Sequence, residues 1–159
     1  MMLPTVAAAQ SNESIEGLHQ QARSAVARGT PLDLSEALRI WARARQLAHE
    51  QRDLVTESAI LNNMGVTRIK LGHPDTAVAE FRQAMQVATL ADHASNQMSA
   101  LYNLGRTFES LGRSDEALMS YRAALEVLER LPERVEIRSN IESRITRLQE
   151  RFDDADPAE

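Results

Sequence analysis

The sequence predicts an all-α array of stacked helix-turn-helix units, and three observations carry that prediction. Residues 59–131 hold one pattern written twice at an offset of forty. Asn63, Gly65, Leu71, Gly72, Asp75, Ala77 and Ala84 recur as Asn103, Gly105, Leu111, Gly112, Asp115, Ala117 and Ala124, with Phe81 answered by Tyr121. Self-similarity at such a period marks supersecondary units that bury their apolar faces by stacking. A third copy follows from spacing alone, because Ala37-Trp41-Ala44 precedes Ala77-Phe81-Ala84 and Ala117-Tyr121-Ala124 in the same register. Composition agrees: hydrophobic residues are 43% of the 159 but aromatics only 4%, so the core is built from Ala, Leu, Ile, Val and Met. That mixture suits close-packed helices better than a β-sandwich.

Each helix has its own signals. Asn12 or Ser11 can cap a first helix whose opening carries Glu13 and Glu16, acids favoured at the positive end of the dipole. Ile15, Leu18, Ala22, Ala25 and Val26 share one face up to Gly29. Thr30-Pro31-Leu32 reads as a connector, and Asp33 with Glu36 as the cap and acid that open a second helix, with Ala37, Leu38, Trp41, Ala44 and Ala48 as its buried stripe. A third helix is predicted from Asp53 to about Leu71. Gly72-His73-Pro74-Asp75 then turns the chain, with Gly supplying the left-handed residue, Pro stopping the helix and Asp capping the next. The fourth helix runs from Asp75 to about Leu90, the fifth from Asp92 to Leu111, and the sixth, after Gly112-Arg113-Ser114, to Leu131. Pro132 separates a seventh helix, 133–152, whose one apolar stripe of Val135, Ile137, Ile141, Ile145 and Leu148 predicts a cap on the last unit. The expected organisation is a disordered leader (1–11), a single domain (12–152) with units at about 12–52, 53–91 and 92–131 plus the capping helix, and a disordered acidic tail (153–159).

Charge and motif content exclude several activities. A net charge of −5 gives no basic footprint for nucleic acid and disfavours an anionic membrane surface. No apolar run approaches the ~18 residues of a membrane span. The absence of cysteine excludes disulfides, zinc ribbons and thiol nucleophiles. His19, His49, His73 and His93 lack metal-ligand spacing, and no phosphate loop or nucleophile elbow occurs, so no enzyme, metal or cofactor is expected. Val6-Ala7-Ala8-Ala9 has the small residues that end a secretory signal but no charged start before it. A cytoplasmic location is expected, with export and a trimmed signal as the alternative.

The small-aromatic-small spacing in three registered copies, with Gly65 and Gly105 in the preceding helices, resembles the tetratricopeptide repeat family over roughly residues 18–131. The forty-residue period is similar to the longer-repeat subclass. The resemblance implies a right-handed superhelical α-solenoid of three helical pairs plus the C-terminal cap. It also implies a concave groove, lined by the first helix of each unit, that holds an extended or helical peptide of a partner protein. On this chain the groove positions become His19, Ala22, Arg23 and Val26; Ala59, Asn62, Asn63, Val66 and Lys70; and Ser99, Tyr102, Asn103, Arg106 and Glu109. Arg23, Asn62, Asn63, Val66, Lys70, Tyr102, Asn103 and Arg106 are the candidate binding residues. Asn63 and Asn103 stand at equivalent places, and a side-chain amide pairs with a peptide backbone without demanding a sequence. Ordinary helix-surface polarity is the other reading of the same two residues. The family's chaperone-tail clamp keeps only its Asn here. The expected role is therefore a scaffold or adaptor with a protein partner, as a monomer or weak homodimer. Alternatives are a self-association module, in which Ile141, Ile145 and Leu148 meet a second copy, or the sensor part of a larger bacterial regulatory or secretion assembly.

Overall fold

A computed structural model describes residues 14–131 and 133–155, with side chains through residue 151. These residues form α1 (Ile15–Arg28), α2 (Pro31–Glu50), α3 (Leu54–Lys70), α4 (Pro74–Leu90), α5 (Ala94–Ser110), α6 (Ser114–Leu128) and α7 (Val135–Ala155), with no strand among them. Each helix packs on the next, and α3 also meets α5 directly, so the first helices of successive units lie side by side. The array is all-α and repetitive, as the sequence predicts.

One turn is used four times. Gln51-Arg52-Asp53, Leu71-Gly72-His73, Ala91-Asp92-His93 and Leu111-Gly112-Arg113 each place a right-handed residue, a left-handed residue and a residue with ψ of 65–87° in order. The third residue's N–H reaches back to the carbonyl five positions earlier at 2.9–3.0 Å, as in Asp53 to Ala48 and Arg113 to Phe108. That bond satisfies an orphan carbonyl of the helix just ended. The same third residue then serves as N-cap of the following helix, so one residue closes one element and opens the next. Glycine fills the left-handed place within units two and three, whereas Arg52 (φ 57°) and Asp92 (φ 49°) fill it between units.

Several predicted caps are displaced. Asn12, Ser11 and Glu13 lie outside the described residues, and Ser14 caps α1 by accepting from the Gly17 N–H at 3.0 Å. Thr30, not Asp33, caps α2; Pro31 is already helical, and Asp33 in the first turn accepts from Thr30 and from Arg28. His73 occupies the cap expected of Asp75; His93 caps α5, which begins at Ala94 rather than Asp92, and the His93 Nδ1 accepts from the Asn96 N–H. The turn geometry decides this: the residue after the left-handed one is forced to be the cap whatever its side chain. α6 stops at Leu128, three residues early, and α7 begins at Val135 and continues to Ala155, past the predicted end. Pro132 and residues 156–159 are outside the described residues.

The forty-residue register holds for the second helices and fails for α1. Gly29, left-handed at φ 77°, precedes Gly72 by forty-three residues, because α2 has 20 residues against 17 in α4 and gains its extra turn at the start. Ala22, seven residues before Gly29, therefore takes the place of Gly65 and Gly105, and Leu18 that of Leu61. This corrects the assignment of Ala22 to the groove, since Ala22 is fully buried. Gln21 and Ser24, where later units have apolar residues, are exposed.

Trp41, Phe81 and Tyr121 are the largest buried side chains, as expected. Trp41 packs with Leu18, Ala22, Ala25 and α3's Ile60 and Met64, while Phe81 and Tyr121 share a larger cluster that extends to Ile141 and Leu148 of α7. Burying each ring stabilises by roughly 1.5–3 kcal/mol. At Gly65 an added Cβ would sit 2.5 Å from Phe81 Cε1, and at Gly105 2.5 Å from Tyr121 Cε1. The two glycines thus let the ring of the second helix lie directly on the backbone of the first.

Candidate functional site

The face made by α1, α3, α5 and α7 carries three successive recesses. The first, about 440 Å³, lies between α1 and α3 and is lined by His19, Arg23, Val26, Ala27, Trp41, Asn63, Thr67 and Lys70. A narrower one follows between α3 and α5, lined by Val66, Ile69, Phe81, Asn103, Arg106, Thr107 and Ser110. The third, about 510 Å³, lies among α3, α5 and α7, with Asn62, Met98, Ser99, Tyr102, Asn103, Glu136, Ile137 and Asn140. All eight residues singled out from the sequence line one of these recesses, and Asn103 lines two. The anchoring rings form the floors of the first two, so the core residues that hold the units together also shape this face.

The asparagines are joined across units. Asn103 Nδ2 donates to Asn62 Oδ1 at 2.9 Å, tying α5 to α3. Asn62 keeps its NH₂ and Asn103 its carbonyl oxygen without a partner among the described residues. The Asn63 side chain makes no hydrogen bond within them either; only its backbone carbonyl is used, by the Thr67 hydroxyl at 2.8 Å. One more bridge of the same kind, Asn96 Nδ2 to Val55 O (2.9 Å) and Ser58 Oγ (2.8 Å), binds α5 to α3 nearer their N-termini. A helix face whose amides already link neighbouring units is held rigid, which lowers the entropy lost on binding.

Glu109, expected to face a ligand, instead locks the array. Its Oε2 accepts from the Tyr121 hydroxyl at 2.8 Å and from Arg144 Nη1 at 2.7 Å, joining α5, α6 and α7. Burial works to raise the Glu109 pKa, but the Tyr121 hydroxyl and the Arg144 guanidinium outweigh it and hold the carboxyl below its ordinary value. Burial first, then the Glu109 carboxylate, push the Tyr121 hydroxyl upward, so it stays a donor. A folded-state pKa below the unfolded one contributes stability that is complete above about pH 4.5 and is lost as the pH falls through the folded value. The expected result is that the native protein loses stability in acid more steeply than Glu109→Gln, which has no carboxyl there to titrate. Urea denaturation at pH 7, 5, 4 and 3 checks this, and equal slopes would remove the triad from the account.

The wall supplied by α7 is a site component that the sequence reading overlooked. Tyr102 Oη donates to Asn140 Oδ1 at 2.9 Å, and Glu136 and Ile137 complete the third recess. A signal for it exists: Ile141 lies forty residues after Leu101, itself forty after Leu61, so α7 stands where a fourth unit's first helix would. Of the three α7 residues named for self-association, Ile141 and Leu148 are buried within the chain and Ile145 partly so. His19, expected at the groove, and Trp41, expected in the core, meet edge to face at 4.9 Å, and both line the first recess.

Charge is unevenly spread over this face. Arg23, Lys70 and Arg106 are exposed and form no ion pair with any described residue, whereas Arg28, Arg39, Arg45, Arg68, Arg113, Arg130, Arg138 and Arg144 all do. The Arg106 guanidinium lies 5.8 Å from the Tyr102 ring centre, a cation–π distance. Lys70 also sits in the last turn of α3, where a cation offsets the helix dipole. Among the described residues no three His, Asp or Glu side chains come together to hold a metal, and no helix is long and apolar enough to cross a membrane. No curated protein matches the sequence significantly. Residues 56–130 match the family model described as Tetratricopeptide repeat, which spans units two and three. The paired helices, αL turns and glycine–ring contacts of units two and three lie within this match, and residues 56–130 belong to the tetratricopeptide repeat family.

Proposed function

We propose that this protein binds a segment of a partner protein along the α1–α3–α5–α7 face, as a scaffold or adaptor. Tetratricopeptide arrays are interaction modules and typically not catalysts, and that coarser role is the starting point. The observation that favours this face is the amide row of Asn62, Asn63 and Asn103. It leaves a carbonyl oxygen and NH₂ groups unpartnered on a preformed surface, as backbone recognition needs. The three recesses beside it offer room for side chains at intervals set by the repeat.

Asn63→Ala tests the reading with the least disturbance, since this side chain has no internal hydrogen bond. Affinity for a bound peptide is expected to fall about tenfold, with melting unchanged, because one or two hydrogen bonds to a ligand backbone are worth about 0.5–1.5 kcal/mol each. Asn103→Ala lowers affinity further but also removes the bond to Asn62, so its melting temperature is measured beside it. Unchanged affinity in both variants would take the amide row out of the binding site.

A further inference from the structure

We propose that the apolar recess between α4 and α6 is an interface between two copies of this chain, related by a twofold axis so that Met119 of each copy fills the recess of the other. The inference does not rest on the binding face proposed above. That face is built from the first helices of the units and stays open in both copies, so the dimer would present two of them.

The recess measures about 300 Å³, and Leu101, Leu104 and Phe108 of α5 line it together with Met85 of α4 and Met119 of α6. The repeat itself does not demand an apolar surface here. Forty residues earlier, the places of Met85, Phe108, Met119 and Ser120 are held by Arg45, Arg68, Ala79 and Glu80. Arg68 and Glu80 approach to 3.6 Å as an ion pair, and Ala79 has nothing to project. One unit later the backbone plan is unchanged, yet the charged pair has become a ring and a small residue, and the alanine a long apolar side chain. The hollow and the side chain beside it therefore arise together, in the same unit.

A second copy is the occupant because both halves of the contact are present on one chain. Met119 is 69% exposed, and an unbranched thioether adapts its shape to an irregular hollow. On the exposed stripe of α6, Asp115 stands one turn before it and Arg122 one turn after, and neither forms an ion pair with a described residue. The recess carries the opposite order at its rim. Arg82 of α4 is exposed, lies 5.7 Å from the Phe108 ring centre and has no ion pair with a described residue, while Glu116 of α6, already held by Arg113, lines the other side. A twofold rotation that seats the methionine therefore brings Arg82 to Asp115 of the partner subunit and Glu116 to Arg122 of the partner subunit. Because such an interface is isologous, each pairing occurs twice and growth stops at the dimer.

Sedimentation equilibrium of the native protein between about 1 and about 500 µM tests the proposal. A monomer–dimer Kd of about 10–100 µM is expected, because one small recess per copy falls short of a standard stable interface. Met119→Asp is expected to weaken the dimer about tenfold or more, since it sets a carboxylate in the partner's apolar hollow. Arg82→Glu should weaken it about threefold to tenfold, and Arg82→Glu combined with Asp115→Arg should recover it by re-forming the pair in the opposite sense. All three positions are exposed, so each variant is expected to melt as the native protein does, and melting curves separate a lost interface from a lost fold. A native protein that stays monomeric throughout, a dimer indifferent to Met119→Asp, or a mass that keeps growing beyond the dimer would each overturn the proposal. So would a charge swap that fails to recover the dimer lost in Arg82→Glu.

Discussion

Gly65→Ala is expected to lower stability by about 1–3 kcal/mol, although alanine gains about 1 kcal/mol over glycine in a helix. The sign is decided by space. The added Cβ would meet Phe81 Cε1, Cδ1 and Cζ at 2.5–2.8 Å, on a ring that is 1% exposed and cannot move outward. Gly105→Ala is expected to behave alike against Tyr121, with the further loss of alignment between its hydroxyl and Glu109. Urea denaturation checks both. Combining Gly65→Ala with Phe81→Leu should cost less than the two changes separately, because the smaller side chain relieves the clash that the alanine creates. A stabilised Gly65→Ala would mean that α3 and α4 are not held at the spacing described.

Ile141→Glu is expected to detach α7, at a cost of about 3 kcal/mol or more, because a charge replaces a fully buried side chain. The consequences extend beyond the helix itself. Glu109 loses Arg144, Tyr102 loses Asn140, and the third recess loses its α7 wall. Deleting residues 133–159 should have the same effect more completely and expose the α6 face to aggregation. Light scattering and thermal melting distinguish the outcomes. A truncated protein that stays monomeric and melts cooperatively would show that α7 is dispensable to the array.

The parts of the fold written as repeated spacings could be read from the sequence, and those written as local geometry could not. The Ala37-Trp41-Ala44 pattern and its two copies located the core because ring burial between small residues depends only on helical periodicity. Two caps were misplaced because Asp33 and Asp75 have the stronger intrinsic preference, whereas the αL turn fixes the cap one residue after the left-handed position. The first helix was assigned in the wrong register because its evidence was the second helix, and the extra turn of α2 shifts the two relative to each other. At the site, Asn63 and Asn103 were found by equivalence. Their roles then diverge, because Asn103 finds Asn62 on the preceding unit, whereas the place equivalent to Asn62 in unit one is His19, so Asn63 has no amide to pair with there. Glu109 was read as ligand-facing because nothing local reveals Arg144, which arrives from 35 residues further along the chain.

Amide chemical-shift mapping of a library-selected peptide on the isotopically labelled protein tests the central claim most directly. The perturbed residues are expected to lie on α1, α3, α5 and α7, with the side-chain amides of Asn62, Asn63 and Asn103 among the largest shifts. The opposite face offers a real competitor, an apolar recess of about 300 Å³ lined by Met85, Leu101, Leu104, Phe108 and the exposed Met119. Shifts clustered there, on α4 and α6, with the three asparagines unmoved, would contradict it.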